Sequence, residues 1–144
     1  MHKIKTLLRP KALVTAAPEE SVLEVATRMA KARVGAIPIV EGRRLVGIFS
    51  ERDLMTRVVV PGRDPEAWRV ADVMTRKVIT AEPDDRRSEC LEKMRSAGCR
   101  HLPVLDDGTL VAMLSMRDLL RDEIEEQGEE IQTLRAYLHQ TPPA

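Results

Sequence analysis

The sequence predicts a mixed α/β (α+β) fold in which two pseudo-symmetric β-α-β-β-α repeats pack face to face, followed by a long C-terminal helix. Three observations lead there. Residues 14–54 superpose on 79–119 without a gap, at an offset of 65, and thirteen of those forty-one pairs are identical. Chance would give two or three, at roughly 5–7% per position for ordinary usage. Each half also runs through the same succession of apolar patterns and turn residues. Finally, apolar positions in steps of four and three continue past the second half to about His139. The offset is too long for a solenoid period and two copies are too few, so each unit is expected to bury the side that the other leaves open. The boundaries expected are 1–62 for repeat 1 with its lead-in segment, 63–122 for the linker and repeat 2, and 123–144 for a helical tail.

Within each repeat, a short strand is expected first, Ala12-Leu13-Val14-Thr15 and Lys77-Val78-Ile79-Thr80, running into Pro18 or Pro83. A helix follows. Ser21 and Glu24 form a capping-box signature, with Val22, Val25, Ala26 and Met29 at helical spacing. Cys90, Leu91, Met94 and Ala97 hold the same face in the second copy, where Asp84 or Asp85 is the expected cap. Two strands come next, Ala36 to Val40 and Leu45 to Phe49, matched by His101 to Leu105 and Leu110 to Leu114. Gly42 and Asp107-Gly108 supply the hairpin turns. A last helix starts at Ser50 or Ser115. Pro38 and Pro103 fall inside strand patterns, which confines those strands to edges and leaves backbone groups open to a ligand. Ile4 to Leu8 and Val70 to Met74 read as short lead-in helices, and Trp68 as a cap on the junction between repeats.

Bulk composition narrows the function. Lys+Arg and Asp+Glu both number 23, so a net charge of zero offers no basic footprint for a nucleic-acid backbone. The aromatic residues are Phe49, Trp68 and Tyr137, too few for the stacking platforms of single-strand binders. No apolar run suits a signal peptide or a membrane span, and two cysteines make no disulfide framework, so a cytoplasmic setting without membrane association is expected. His2, His101 and His139 lie too far apart to suggest a metal cluster, and Cys90 and Cys99 read as small buried hydrophobes. There is no nucleophile constellation and no Gly-rich phosphate loop, so no enzyme activity is expected.

The segments Val14-Thr15-Ala16-Ala17-Pro18, Gly35-Ala36-Ile37-Pro38 and Gly47-Ile48-Phe49-Ser50-Glu51-Arg52-Asp53 recur as Ile79 to Pro83, Arg100 to Pro103 and Ala112 to Asp118. Three motifs, in order, twice, over residues 4–122: the sequence resembles the CBS-domain family, paired as a Bateman module of the stand-alone bacterial type. The resemblance implies a cleft in each repeat for an adenosine-containing ligand, AMP first, with ADP, ATP or NAD as alternatives. By position, Asp53 and Asp118 would hold ribose hydroxyls, while Ser50, Arg52, Ser115 and Arg117 would face phosphate. Val14, Ala16, Ala36, Ile37 and Pro38 would line the base in site 1. Ile79, Ala81, Arg100, His101, Leu102 and Pro103 would do so in site 2.

Elementary chemistry is compatible with these roles. A helix N-terminus attracts phosphate, a carboxylate accepts two bonds from a vicinal diol, and arginine adds charge-assisted donors. Ser-x-x-Asp is equally a plain helix cap, and the two roles are compatible. Where repeat 1 has Gly47, repeat 2 has Ala112, whose methyl is expected to crowd a ligand and weaken site 2. The expected function is a regulatory sensor that binds an adenine nucleotide and signals to a separate partner. The alternatives are a dimerisation scaffold with degenerate pockets, or a module for S-adenosylmethionine. Leu120, Ile124, Gln127, Ile131, Leu134 and Leu138 form a heptad seam, which predicts a homodimer held in part by the tail.

Overall fold

The computed structural model describes residues 2–8 and 13–140, with side chains described as far as Leu138. Repeat 1 contains α1 (Val22–Ala32), a hairpin of β1 (Ala36–Glu41) and β2 (Arg44–Ser50), and α2 (Glu51–Asp53), which continues as a π-helical run over Leu54–Val59. Repeat 2 contains α3 (Arg87–Ala97), β3 (His101–Asp106), β4 (Thr109–Ser115) and α4 (Met116–Gln140). Short 3-10 turns, Ile4–Thr6 and Val70–Asp72, precede the repeats at the expected lead-in positions. Among the described residues no helix is long and apolar enough to cross a membrane.

The hairpins are antiparallel and superimposable in register: Ala36 faces Ser50 as His101 faces Ser115, and each ladder slips once, after Ile39 and after Val104. Asp107 and Gly108, both at positive φ (51° and 80°), close the second hairpin, as a primed turn requires. The sheets meet along β2 and β4.

The expected first strand of each repeat does not form. Ala12 lies outside the described residues. Of the rest, the first copy is extended chain touching the hairpin through one parallel bridge, Ala16 to Ile39, and the second through Ala81 to Val104. Proline explains the truncation: Pro38 and Pro103 have no amide to donate, so ladder pairing is limited to their neighbours. Their carbonyls are occupied. Pro38 accepts from Ala16 N at 3.1 Å and Pro103 from Ala81 N at 2.9 Å, so the expected free edge is partly closed.

The lead-ins are exchanged between repeats. Ile4 sits in the core of repeat 2 with Ala81, Cys90, Met94, Leu102, Val104, Leu114 and Leu119, and Val70 sits in the core of repeat 1. Both are 0% exposed. The exchange is symmetric to the hydrogen bond. Ile4 N donates to Asp85 O and Lys5 N to Pro83 O; Val70 N donates to Glu20 O and Ala71 N to Pro18 O. The lead-ins also cap helices of the other repeat. His2 O accepts Arg87 N at the start of α3, and Trp68 O accepts Val22 N at the start of α1. This backbone cap replaces the expected Asp84 or Asp85 cap: the residue before α3 is Arg86, with no side-chain bond. Asp85 instead accepts from Glu82 N and Lys93 Nζ, and Asp84 pairs with Lys3 and Lys5. Trp68 packs on the core of repeat 1, with the Arg63 guanidinium 4.6 Å from its ring centre.

Candidate functional site

The Ser-x-x-Asp motifs start helices, as their chemistry allows. In repeat 1, Ser50 Oγ accepts from Asp53 N (3.2 Å), while Asp53 Oδ2 accepts from Ser50 N and Ser50 Oγ, each at 3.0 Å. This is a reciprocal capping box. The other carboxylate oxygen faces Thr75 Oγ1 at 3.4 Å and Arg57 Nε at 3.7 Å, leaving Asp53 8% exposed. In repeat 2, Asp118 N donates to Ser115 Oγ (3.1 Å) and Ser115 N to Asp118 Oδ2 (3.2 Å). Asp118 is half-buried, and the position matching Arg57 is Asp122. Of the two aspartates, Asp118 is therefore the more accessible.

The first amide of each helix is spoken for: Glu51 N donates to Gly35 O at 3.0 Å and Met116 N to Arg100 O at 2.8 Å. These bonds tie each helix start to the residue before the proline-bearing strand. The segments expected at the base are held from the other side. Arg28 Nη1 donates to Thr15 O at 3.0 Å and pairs with Glu20, while Lys93 Nζ donates to Thr80 O at 3.0 Å and pairs with Asp85. The Arg28 guanidinium, through its hydrogen bonds, holds the Glu20 carboxyl below its usual range.

Ile37, Ala81 and Leu102 are fully buried core residues, and Ala16, Ala36, Pro38 and Pro103 are also buried. Their contact with a ligand would run through backbone, not side chain. Val14 is half-buried and Ile79 exposed, so these two offer side chains. Arg52 and Arg117 are exposed on the first turn of α2 and α4, and neither makes an ion pair among the described residues.

The repeats converge at Gly35. A β-carbon there would lie 3.4 Å from both Glu51 Oε1 and His101 Cε1, so β3 of repeat 2 comes to the helix start of repeat 1 at this residue. Burial holds His101 below its ordinary pKa, against the pull of Glu51 and Asp118. His101, Arg100, Glu51 and Asp118 thus form one electrostatic group drawn from both repeats. Glu51, Thr75 and Arg57 were not singled out by the sequence. Arg57 was accessible from its i,i+4 spacing to Asp53; Thr75 arrives from the linker and had no signal.

At Gly47 a β-carbon would fall 2.5 Å from Met74 Sδ, so the glycine makes room for the linker. Ala112, at the matching place, packs against the core of repeat 2. Two shallow concavities of about 360 Å³ each lie near the turn end of the hairpins and share Arg44, Leu45 and Arg76; none of the sequence-predicted site residues lines them.

Elsewhere, His2, Asp122 and Glu126 bring their ligand atoms within 4.8 Å of one another, a grouping sequence spacing did not reveal. Arg87 Nη1 already stands there, 2.8 Å from Asp122 and 2.5 Å from Glu126, so the cluster is charge-compensated by a guanidinium. Burial pushes the Cys90 thiol up to about 11, which fits an inert buried hydrophobe.

The chain is similar to known proteins in sequence and in fold. The mitochondrial CBS domain-containing protein CBSX3 of Arabidopsis thaliana is 33% identical over 125 residues, covering 83% of this chain and 61% of the relative. The chain spans about three-fifths of the length of this relative and of the protein MK0525 of Methanopyrus kandleri, which is 36% identical over 113 residues. Among solved structures, the CBS domain protein PAE2072 from Pyrobaculum aerophilum, complexed with AMP, has a TM-score of 0.75 and 31% identity, with 81% of this chain and 89% of that one covered. The CBS domain pair of protein MJ0100, in complex with 5′-methylthioadenosine and S-adenosyl-L-methionine, has a TM-score of 0.77 and 27% identity, covering 87% and 98%. The CBS domain family matches residues 5–60 and again 70–125, the two units that the exchanged lead-ins bind together; the chain belongs to the CBS-domain family, as a tandem pair.

Proposed function

We propose that this pair binds an adenine nucleotide, AMP in preference, and that occupancy is read by a separate protein partner in the cytoplasm, without catalysis. The observation that carries the reading is the convergence at Gly35. Glu51, at the start of α2, and His101 of β3 both come to Gly35, and Glu51, Asp118 and Arg100 act on the His101 ring; Arg52 and Arg117 stand exposed on the two helix starts, with no ion pair among the described residues. The AMP complex of the Pyrobaculum aerophilum relative supports an adenosine ligand of this kind.

Repeat 2 is the site expected to fill first. Asp118 is more open than Asp53, and Arg100 and Arg117 bring positive charge to this repeat. Protonation of His101 on binding a phosphate would add to that charge. Glu51 sets the limit: a carboxylate at the junction disfavours each further phosphate, which ranks AMP above ADP and ATP. S-adenosylmethionine is the second reading, favoured by that same carboxylate and by the complex of protein MJ0100.

Thermal unfolding with AMP, ADP, ATP, NAD and S-adenosylmethionine tests the proposal, on the native chain and on Asp118→Asn and Asp53→Asn. A ligand at 100 times its dissociation constant adds about 2.7 kcal/mol, or roughly 8 °C at this chain length. The expected result is a shift with AMP that Asp118→Asn removes and Asp53→Asn retains. No shift with any of the five ligands would refute nucleotide sensing.

A further inference from the structure

We infer that α4 is one strand of a parallel, in-register, two-stranded coiled coil whose other strand is the α4 of a second copy of this chain. This does not rest on the nucleotide reading. It starts from which face of α4 is used by its own repeat. Leu119 enters the core, and Asp122 and Glu126 meet Arg87 of α3. These residues follow one helix face in steps of three and four. Leu120, Ile124, Gln127, Ile131, Leu134 and Leu138 follow another, about 120° around at 100° per residue. That second face is open even where the helix is docked: Ile124 is 68% exposed, and Ile131 and Leu134 are 49% and 62%. From 129 to 138 every side chain of α4 is exposed, so the helix does not fold back on its own module.

The occupant can be named from what stands at each heptad position. With Ile124 and Ile131 at a, and Leu120 and Leu134 at d, the seam carries β-branched residues at a and leucine at d, the combination that favours two parallel strands. The flanks agree. Position e holds Arg121, Gly128 and Arg135; position g holds Glu123, Glu130 and Tyr137. In a parallel pair Glu130 of each strand reaches Arg135 of the other, five residues on, giving two symmetric ion pairs. An antiparallel pair would instead bring e against e and g against g, placing arginine by arginine and glutamate by glutamate. Gln127, at the middle d position, finds the Gln127 of the second copy only in the parallel, in-register arrangement, where the two amides bond to each other. A buried polar residue of this kind fixes register. The docked face stands about 120° around the helix from the seam, so docking onto its own repeat and pairing with a second copy use different residues of α4.

The seam residues are exposed in the single chain, so substituting them leaves the module's folding intact. Sedimentation equilibrium of the native chain at about 100 μM is expected to give twice the 16.2 kDa chain mass, and Ile131→Asp with Leu134→Asp the single mass. Arg135→Glu turns both ion pairs into repulsions and should raise the dimer dissociation constant roughly tenfold, at a few tenths of a kcal/mol per pair in each sense; adding Glu130→Lys should restore it. Leu134→Cys should cross-link to itself under mild oxidation, since facing d positions lie within disulfide reach. A monomeric native chain would overturn the inference. So would a dimer indifferent to the two aspartates, which would put the interface elsewhere. Loss of the dimer with the aspartates but no Leu134→Cys cross-link would overturn the parallel arrangement.

Discussion

Removing the side chain of Ile4 should weaken repeat 2, although Ile4 precedes repeat 1 in sequence. Ile4 is 0% exposed among Leu102, Val104, Leu114 and Leu119, and Ile4→Ala deletes three carbons from that core. Truncations of this size cost about 2–5 kcal/mol, the spread reflecting how far the site can collapse. Ile4 lies on a short 3-10 turn that can shift towards the gap, which argues for about 3 kcal/mol. At about 3 °C per kcal/mol for a chain of this length, the midpoint should fall by roughly 10 °C. Urea unfolding gives the total, and native-state hydrogen exchange gives the place. Amides of β3 and β4 should lose protection before those of β1 and β2. Val70→Ala should produce the mirror image, loosening β1 and β2, with a smaller loss of about 2 kcal/mol because fewer atoms are removed. Protection lost first in β1 and β2 on Ile4→Ala, or a loss under about 1 kcal/mol, would refute the exchanged packing.

Two further outcomes follow from the site. Gly47→Ala should destabilise by about 1–2 kcal/mol, because the new methyl must displace Met74 within a packed core; combining it with Met74→Ala should cost less than the sum of the two, and strict additivity in urea midpoints would be evidence against that contact. The pH dependence concerns His101. Burial lowers its folded pKa, so the unfolded chain binds the proton more readily. Stability should therefore fall as pH drops through about 6.5 towards the lower folded value, and His101→Gln should flatten that slope; equal slopes between pH 7.5 and 5.5 would refute it.

Much of the fold was legible because duplication doubled every signal. Ser50 and Ser115 begin helices, the hairpins turn where Gly42 and Asp107-Gly108 stand, and α4 runs on through the heptad pattern. What could not be read were contacts made by distant segments. Met74 stands against position 47, a contact that no spacing in the sequence signals, and Asp84 looks like a cap until His2 supplies one through its backbone. The first strand of each repeat failed because a run of β-branched residues beside a proline-bearing partner has too few donors to pair with. At the candidate site, the residue types were visible but their openness was not. Ile37 and Leu102 read as base-lining residues, yet they are fully buried, and the half-buried Asp118 differs from the enclosed Asp53 through Thr75 and Arg57.

The reciprocal placement of Ile4 and Val70 also bears on how the chain can be divided. A cut in the linker separates two sequences that look complete, each with its lead-in, helices and hairpin. Each fragment would keep an anchor shaped for the other's core and lack the anchor for its own. Within one fragment the lead-in has no cavity to enter. Two copies of the same fragment, however, could trade anchors and close both cores. An excised half of this protein is therefore expected either to remain unfolded or to return as an arm-exchanged dimer, with the covalent tandem as its single-chain equivalent.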